Sequence, residues 1–556
     1  MGQLYYGDNL DVLRKSIKDE SVDLIYLDPP FNSKRDYNLL FKTPKGHDSD
    51  ASITAFEDSW HWGEQAEREL SELLKHANTD VARMMNAFMD FLDRNDMTAY
   101  LVMMANRLLE MHRVLKPSGS LYLHCDPTAS HYLKTVLDGV FGKERFLNEI
   151  VWKRTSAHSS ARRYGPVHDI IFYYSKSDIR TWNQQYATYA SEYLRATFNN
   201  KDTDGRPWKS TDLTGDGVRY GESGNPWRKI NVTAKRRHWA VPHDAIPGTD
   251  LSNKDIADRL DMLDEAGYIH WPTKKGGVPR LKQYADEMPG VAMQSVWTDI
   301  PPIGAQSAER LGYPTQKPLA LLERIIQASS NEGDMVLDPF CGCGTASHAA
   351  QKLKREWIGI DITHLAISAI ERRLKKAYPE LKYDVIGTPG DIDAARDLAQ
   401  RSAHDGRYQF QHWAVSLVGA QPYQGKKKGA DGGIDGIKFF RDIDDLKLVH
   451  KIVISVKSGK LKADDVRALN HVREREGAQI ALLISLEQPT AGMIKDAVSA
   501  GFYECGNKKT KVPRVQLLTI EGLLDHTQRA EHPDYEPDLN FKKAKPESSS
   551  DQTDLF

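Results

Sequence analysis

The stretch Ser21–Pro30, SVDLIYLDPP, is an apolar, β-branched run closed by two prolines. It reads as a buried strand ending at Asp28, because proline fixes φ and has no N–H with which to extend a ladder. It also sets the pattern of the first 174 residues. MTAYLVMMANRLLEMHRVLKPSG (Met97–Gly119) has apolar residues at helical spacing and stops at Lys116-Pro117-Ser118-Gly119. SLYLHCD (Ser120–Asp126) is a second buried strand, and strand and helix alternate as far as Tyr174. Such alternation predicts an α/β domain around a mostly parallel sheet. From about Ser175 to Ala305 the periodicity fails and Trp, Arg, Lys, Gly and Asn become frequent. It returns with PLALLERIIQASS, DMVLDPFCGCGTASHAAQKL and REWIGIDI. The expected organisation is one α/β domain in two parts, 1–174 and 306–390, interrupted by a region at 175–305. A further unit follows at 401–531, then a tail at 532–556 whose Lys, Pro, Ser and Asp content predicts disorder.

Bulk properties exclude several classes. A chain of 556 residues is too long for one core. No apolar run approaches the ~20 residues that span a bilayer, so no membrane association is expected. The N-terminus, MGQLYYGDNLDVL, has no signal-peptide apolar region. Cys125, Cys341, Cys343 and Cys505 form no CxxC pair, which predicts a reducing cytoplasm and no structural metal. The formal net charge of −2 gives no support to nucleic-acid binding, which must then come from local patches.

VLDPFCGCGTASHAA (Val336–Ala350) is a strand, a glycine-containing turn and a helix of small residues. Gly342 and Gly344 allow backbone to approach a ligand closely, and the helix N-terminus favours negative charge. About twenty residues on, REWIGIDI places Asp361 at the end of another strand, where a carboxylate can accept hydrogen bonds from ribose hydroxyls. A lone GxG fits a structural turn equally well. Asp338 and Phe340 argue against a pyrophosphate there, and an acidic residue at the turn suits a ligand carrying an ammonium group.

Together these segments resemble the S-adenosylmethionine-dependent amino methyltransferases of DNA. LDPFCGCGT is similar to their cofactor motif, and LDPPF (Leu27–Phe31) to their catalytic motif. YPTQKPLALLERII (Tyr313–Ile326) and YGDNLDVL are similar to the segments that precede the cofactor motif and the catalytic strand. Their order is that of the circularly permuted β class, and the resemblance covers roughly Gln3 to Lys376. It implies a Rossmann-like fold with an inserted target-recognition region, S-adenosylmethionine as cofactor and double-stranded DNA as partner. A homodimer stays open.

The chemistry so implied accounts for the rigid strand end. An exocyclic amino nitrogen is a poor nucleophile because its lone pair is delocalised into the base. Asp28 and the Pro29 carbonyl can accept its two N–H groups, Pro29 and Pro30 hold both acceptors in place, and Phe31 offers a face to a flipped base. The resemblance further assigns Asp338, Phe340, Gly342 and Gly344 to the methionine portion of the cofactor, Asp361 to its ribose and Asp8 to its adenine. It places Lys317 in the same pocket. DPPF usually accompanies adenine methylation in this family and SPPY cytosine methylation, so adenine is the expected target. Within the inserted region RPWKS, NPWRKI and AKRRHW interleave cations with Trp. Either they contact phosphates and bases, or the Trp residues form a small core beneath a solvated face.

GADGGIDGIKFF (Gly429–Phe440) and KIVISVKSGK (Lys451–Lys460) resemble the Mrr-like branch of restriction endonuclease-like domains. That pattern needs an Asp ending one strand and an acidic or Gln residue two positions before a Lys on the next, to hold a metal and position water. Asp435 and Lys457 match, but Ser455 occupies the middle position and is a poor ligand for a hard cation. The resemblance therefore implies a nuclease-derived DNA-binding or accessory domain ahead of an active nuclease. The last five residues, QTDLF, resemble the peptide by which bacterial proteins dock on the replication sliding clamp. Leu555 and Phe556 would fill an apolar pocket and Gln552 would bond at its rim.

Overall fold

The computed structural model describes residues 2–30, 36–42, 48–57, 62–76, 78–155, 164–273, 277–304, 307–311, 313, 315–400, 404–423, 433–442, 445–505 and 510–533. Nine strands form the main sheet: β1 (Gly2–Tyr6), β2 (Val22–Leu27), β3 (Leu115–Cys125), β4 (Phe146–Lys153), β5 (His168–Ser175), β6 (Val296–Trp297), β7 (Met335–Asp338), β8 (Glu356–Asp361) and β9 (Tyr383–Ile386). Their order is β6-β4-β5-β3-β2-β7-β8-β1-β9. All neighbours run parallel except at β5, which is antiparallel to both β3 and β4. The expected mostly parallel, Rossmann-like sheet is present. β2 and β7, far apart in the chain, lie side by side and end at the same edge.

Helix α1 (Asn9–Ser16) follows β1, and helix α2 (Asp96–Val114) precedes β3. At the start of α2, Asn95 and Thr98 form a reciprocal capping box. α2 stops at Val114 and the chain is already extended at Leu115, just before the stop expected at Lys116-Pro117-Ser118-Gly119. Pro117 cannot donate to a helix and pushes Lys116 into extended geometry. Lys116 then pairs with Asp23 at 2.7 Å, beside a register irregularity between β2 and β3. One sheet face, including Ile25, Leu27, Leu121 and Leu123, packs against Leu101, Met104 and Leu108 of α2. Three helices frame the later strands: α3 (Leu319–Ser329), α4 (Thr345–Lys352) and α5 (His364–Ala377).

Residues Gln184–Met293 form a separate compact unit. It contains a small four-stranded antiparallel sheet and a core built on Leu213, Trp227, Trp239, Leu260 and Leu281.

The C-terminal part begins with α6 (Ile392–Gln400), which lies between the two ranges expected from the sequence. Its Ala395 and Leu398 pack with Phe410 and Trp413 of α7 (His404–Leu417) in the C-terminal core. A five-stranded sheet follows, ordered β10 (Gln421–Pro422), β11 (Gly436–Asp442), β12 (Asp445–Lys457), β13 (Ile480–Ser485) and β14 (Val515–Thr519). β10 to β12 pair antiparallel, and β12 to β14 parallel. Helix α8 (Ala463–Arg475) packs on its other face through Val466 and Leu469. No helix among the described residues is long and apolar enough to cross a membrane.

Candidate active site

Asp28 stands immediately beyond the last residue of β2. Its Oδ2 is ion-paired with Lys317, which is itself buried. Its Oδ1 is also buried and has no hydrogen-bond partner. Lys317 is delivered by a braced loop just before α3. The Gln316 side chain donates to the Glu309 carbonyl at 2.8 Å and accepts from Leu311 N at 2.7 Å, while Leu319 N donates to Glu309 Oε1 at 2.5 Å. Pro29 and Pro30 follow Asp28 as expected, and Phe31 lies outside the described residues.

β7 ends on Asp338, a buried carboxylate that accepts from Phe340 N at 3.1 Å. Burial pushes the Asp338 carboxyl well up, and the charges of Asp28 and Asp361 add to this; the Phe340 N–H and Lys317 oppose it. Gly342 and Gly344 both have positive φ, +48° and +72°. A Cβ on Gly344 would also lie 2.7 Å from Ile370 Cγ1, so this turn requires glycine twice over. Asp361, at the end of β8, ties the turn down. It accepts from Gly342 N at 2.9 Å, and from Thr363 N and Oγ1 at 2.9 and 2.8 Å. Burial raises its carboxyl to about 6 against those three donors. Asp28, Asp338 and Asp361 thus share one region with the Lys317 ammonium.

Asp8 is less free than the sequence implies. It caps α1 by accepting from Leu10 N at 2.8 Å, and both its oxygens accept from the buried Arg107 of α2, at 3.2 and 2.9 Å. Arg107 also donates to Asn9 Oδ1 at 2.5 Å, and Asn9 donates to the Pro339 carbonyl at 2.8 Å. The YGDN and DPF segments are therefore joined through Asn9 and Arg107, a link with no signal in the sequence.

Other participants also escaped the sequence reading. Tyr313 is buried against the Gly342 turn, 3.3 Å from where a Cβ would sit. Arg373 of α5, fully enclosed, donates to the Cys343 carbonyl at 3.2 Å, Thr345 Oγ1 at 3.1 Å and His348 Nδ1 at 2.8 Å. Behind the strand end, Tyr26, His124 and Asp169 form a buried hydrogen-bonded series. YLHCD contained its histidine, but Asp169 enters only because the antiparallel β5 carries its first residues to the edge where the parallel strands end. Cys341 and Cys343 are free, buried thiols whose pKa burial raises, which disfavours the thiolate form.

The inserted unit decides between the two readings of its Trp residues. Trp208, Trp227 and Trp239 of RPWKS, NPWRKI and AKRRHW are buried, and two of them form the core of that unit, so they are not a stacking surface for bases. Several of the interleaved cations are paired within the unit: Arg206 with Asp286 and Glu287, Arg228 with Asp261 and Asp264, and Arg237 with Asp216.

In the C-terminal part Asp435 precedes β11 and does not end a strand. Its Oδ2 accepts from Val456 N at 2.7 Å and from the Ser455 hydroxyl at 3.3 Å. Lys457, the last residue of β12, lies 3.6 Å from Asp465 of α8. No cluster of three metal-ligating side chains occurs among the described residues. Gln552, Leu555 and Phe556 lie outside them.

Comparison with known proteins follows this division. A family of DNA methylases matches residues 22–372, and a restriction endonuclease family matches residues 406–524. The type II methyltransferase M.EcaI of Enterobacter cloacae is 33% identical over 276 residues, 50% of this chain and 57% of that protein. The StyLTI Mod subunit, a type III restriction-modification enzyme of Salmonella typhimurium, is 27% identical over 63% of this chain and 50% of that protein. The chain thus spans about half the length of these curated relatives. The solved structure of a DNA modification methylase from Thermus thermophilus, complexed with S-adenosyl-L-methionine, is 16% identical. It covers 69% of this chain and all of that one, at a TM-score of 0.32. With its family match running from β2 into α5, over more than half of its length, the chain belongs to the DNA methylase family.

Proposed function

We propose that the chain transfers a methyl group from S-adenosylmethionine to the exocyclic amino group of an adenine flipped out of duplex DNA at a specific site, within a restriction-modification system. The observation that carries this reading is the unpartnered, buried Oδ1 of Asp28. A buried acceptor without a donor costs stability, and it persists where a ligand supplies the donor. The target amino group is such a donor. The cofactor fits the residues present: a turn that only glycine can make, and three carboxylates with one ammonium, suit a ligand bearing a sulfonium and an ammonium group. Asp338 and the Gly342–Gly344 turn would hold the methionine portion, and the edge formed by Asp361 and Asp8 the adenosine.

When bound, S-adenosylmethionine supplies an electrophilic methyl group. The chain's own part is to shape the nucleophile. Asp28 Oδ1 accepts one N–H of the target amine and localises its lone pair, and the Pro29 carbonyl accepts the other. Methyl transfer from the sulfonium, whose sulfur would keep the bonding pair as a neutral thioether, would leave the nitrogen cationic, and Asp28 Oδ1 would accept the proton that it sheds. Lys317 holds the other oxygen and so fixes the carboxylate's rotation. Phe31 would stack on the base, and cations of the inserted unit that face solvent would meet phosphates. The tail would bring the enzyme to the sliding clamp.

Asp28→Ala should abolish methyl transfer to unmethylated genomic DNA while leaving S-adenosylmethionine binding within about threefold of wild type. A tritiated-methyl assay and calorimetry on one preparation measure both, and retained transfer would refute the assignment. Long-read modification sequencing of a host expressing the chain separates N6-methyladenine from N4-methylcytosine, and the latter would overturn the adenine reading alone.

A further inference from the structure

The Tyr26–His124–Asp169 series has no part in the reaction as described, yet it is wholly buried next to the catalytic strand end. The Tyr26 hydroxyl lies 2.9 Å from His124 Nδ1, and His124 Nε2 lies 3.1 Å from Asp169 Oδ2. His124 is 0% exposed and Asp169 1%. Trp152 packs edge-on against the imidazole at 5.8 Å, and Arg154 approaches Asp169 at 3.3 Å. A carboxylate can only accept, so Asp169 takes the Nε2–H and leaves Nδ1 of the neutral ring as an acceptor. The Tyr26 hydroxyl must then donate to Nδ1.

That direction matters because of what Tyr26 stands beside. Tyr26 is the second-last residue of β2 and Asp28 follows directly on the strand's last residue, close enough for its charge to act on the Tyr26 phenol. Ile25 and Leu27 fill the opposite, helix-covered face. Burial, followed by the charges of Asp28, Asp338 and Asp169, pushes the Tyr26 phenol well up, so the hydroxyl keeps a proton to donate. Without His124 as acceptor, the hydroxyl is left to the buried carboxylate oxygens that lack a hydrogen-bond partner, of which Asp28 Oδ1 is one. A phenol donating there would occupy the acceptor that the amine needs.

We propose that Asp169 and His124 are positioning residues that draw the Tyr26 hydroxyl proton away from Asp28 and so keep Asp28 Oδ1 open for the target amino group. The inference rests on the methyl-transfer reading and on Asp28 as its acceptor. It predicts a rescue that a merely structural role does not. Asp169→Asn keeps the shape but presents an N–H to Nε2, which forces the ring proton onto Nδ1 and turns the Tyr26 hydroxyl loose. Its kcat should fall by about ten- to a hundredfold, the effect of one hydrogen bond to a charged group, with S-adenosylmethionine affinity unchanged. Tyr26→Phe removes the competing donor, so alone it should stay within about threefold of wild type. Combined with Asp169→Asn it should restore most of the lost kcat.

The same cycle with His124→Leu in place of Asp169→Asn gives an independent second measurement, with circular dichroism and cofactor calorimetry confirming the fold of each variant. A double variant as slow as Asp169→Asn alone, or an Asp169→Asn enzyme with normal kcat, would overturn the inference while leaving the methyl-transfer reading standing. Absence of transfer by the wild type would instead remove both.

Discussion

At the residue scale the site is a set of carboxylates kept where water cannot help them. Asp338 is the extreme case, buried next to two other acids. A carboxyl whose folded pKa lies above its unfolded value opposes folding wherever it must ionise. The cost is full above the folded pKa, shrinks as pH falls through it, and is gone near the unfolded value of 3.8. Asp338→Asn keeps an oxygen for the Phe340 N–H and removes the charge. At neutral pH it should therefore melt higher than wild type, by about 1 kcal/mol or more of stability, and the difference should vanish towards pH about 4. The same substitution should weaken S-adenosylmethionine binding by about tenfold or more, through loss of the acceptor charge for its ammonium. Paired thermal melts across pH and calorimetry check both halves. An unchanged cofactor affinity would place the methionine pocket elsewhere.

At the scale of elements, the strands that lead into Asp28 and Asp338 were legible because short apolar runs closed by Asp-Pro have few other readings. The element ends were less so. Pro117 shortened α2 and began β3 five residues before Ser120, a choice made by the proline and by the Lys116–Asp23 pair together. The Trp-rich segments illustrate the opposite problem: composition alone does not say whether an aromatic faces a ligand or a core, and here Trp208, Trp227 and Trp239 are buried. For the C-terminal sheet, a serine hydroxyl donating to Asp435 replaces the acceptor that a metal would need at that position. We expect no cleavage of unmodified plasmid by the purified protein in Mg²⁺ or Mn²⁺. Metal-dependent nicking that disappears in Lys457→Ala would show that Asp435 and Lys457 suffice.

At the scale of the molecule, the C-terminal core is not a distant appendage to the methylase fold. α7 packs against α5, and Gln409 Oε1 accepts from Tyr6 Oη at 3.4 Å and from His364 N at 3.5 Å, at the end of the sheet where Asp361 lies. With a formal net charge of −2, the DNA of the proposed function would have to be held by local surfaces. Recruitment would then be useful, and the tail is the candidate for it. A fluorescent peptide ending in QTDLF should bind purified sliding clamp, and one with Leu555 and Phe556 changed to Ala should not. Equal behaviour of the two peptides would leave the tail without that role. Tethering of this kind raises local concentration without any new contact at the active site.

The sequence by itself determined the α/β class, the two glycine- and proline-bearing strand ends, and the identity of Asp28, Asp338 and Asp361. These are local facts: proline fixes φ, glycine permits positive φ, and apolar periodicity separates strand from helix. It also determined the departure at Ser455. Only the tertiary structure decided which groups face one another. Lys317 meets Asp28 across most of the chain because α3 and β2 converge on one sheet edge. Arg107 claims Asp8, and Asp169 reaches His124 only through the reversed direction of β5. Hydrogen bonds and ion pairs depend on separations of about 3 Å between atoms, and spacing along a chain carries no such distance once the chain has crossed the sheet.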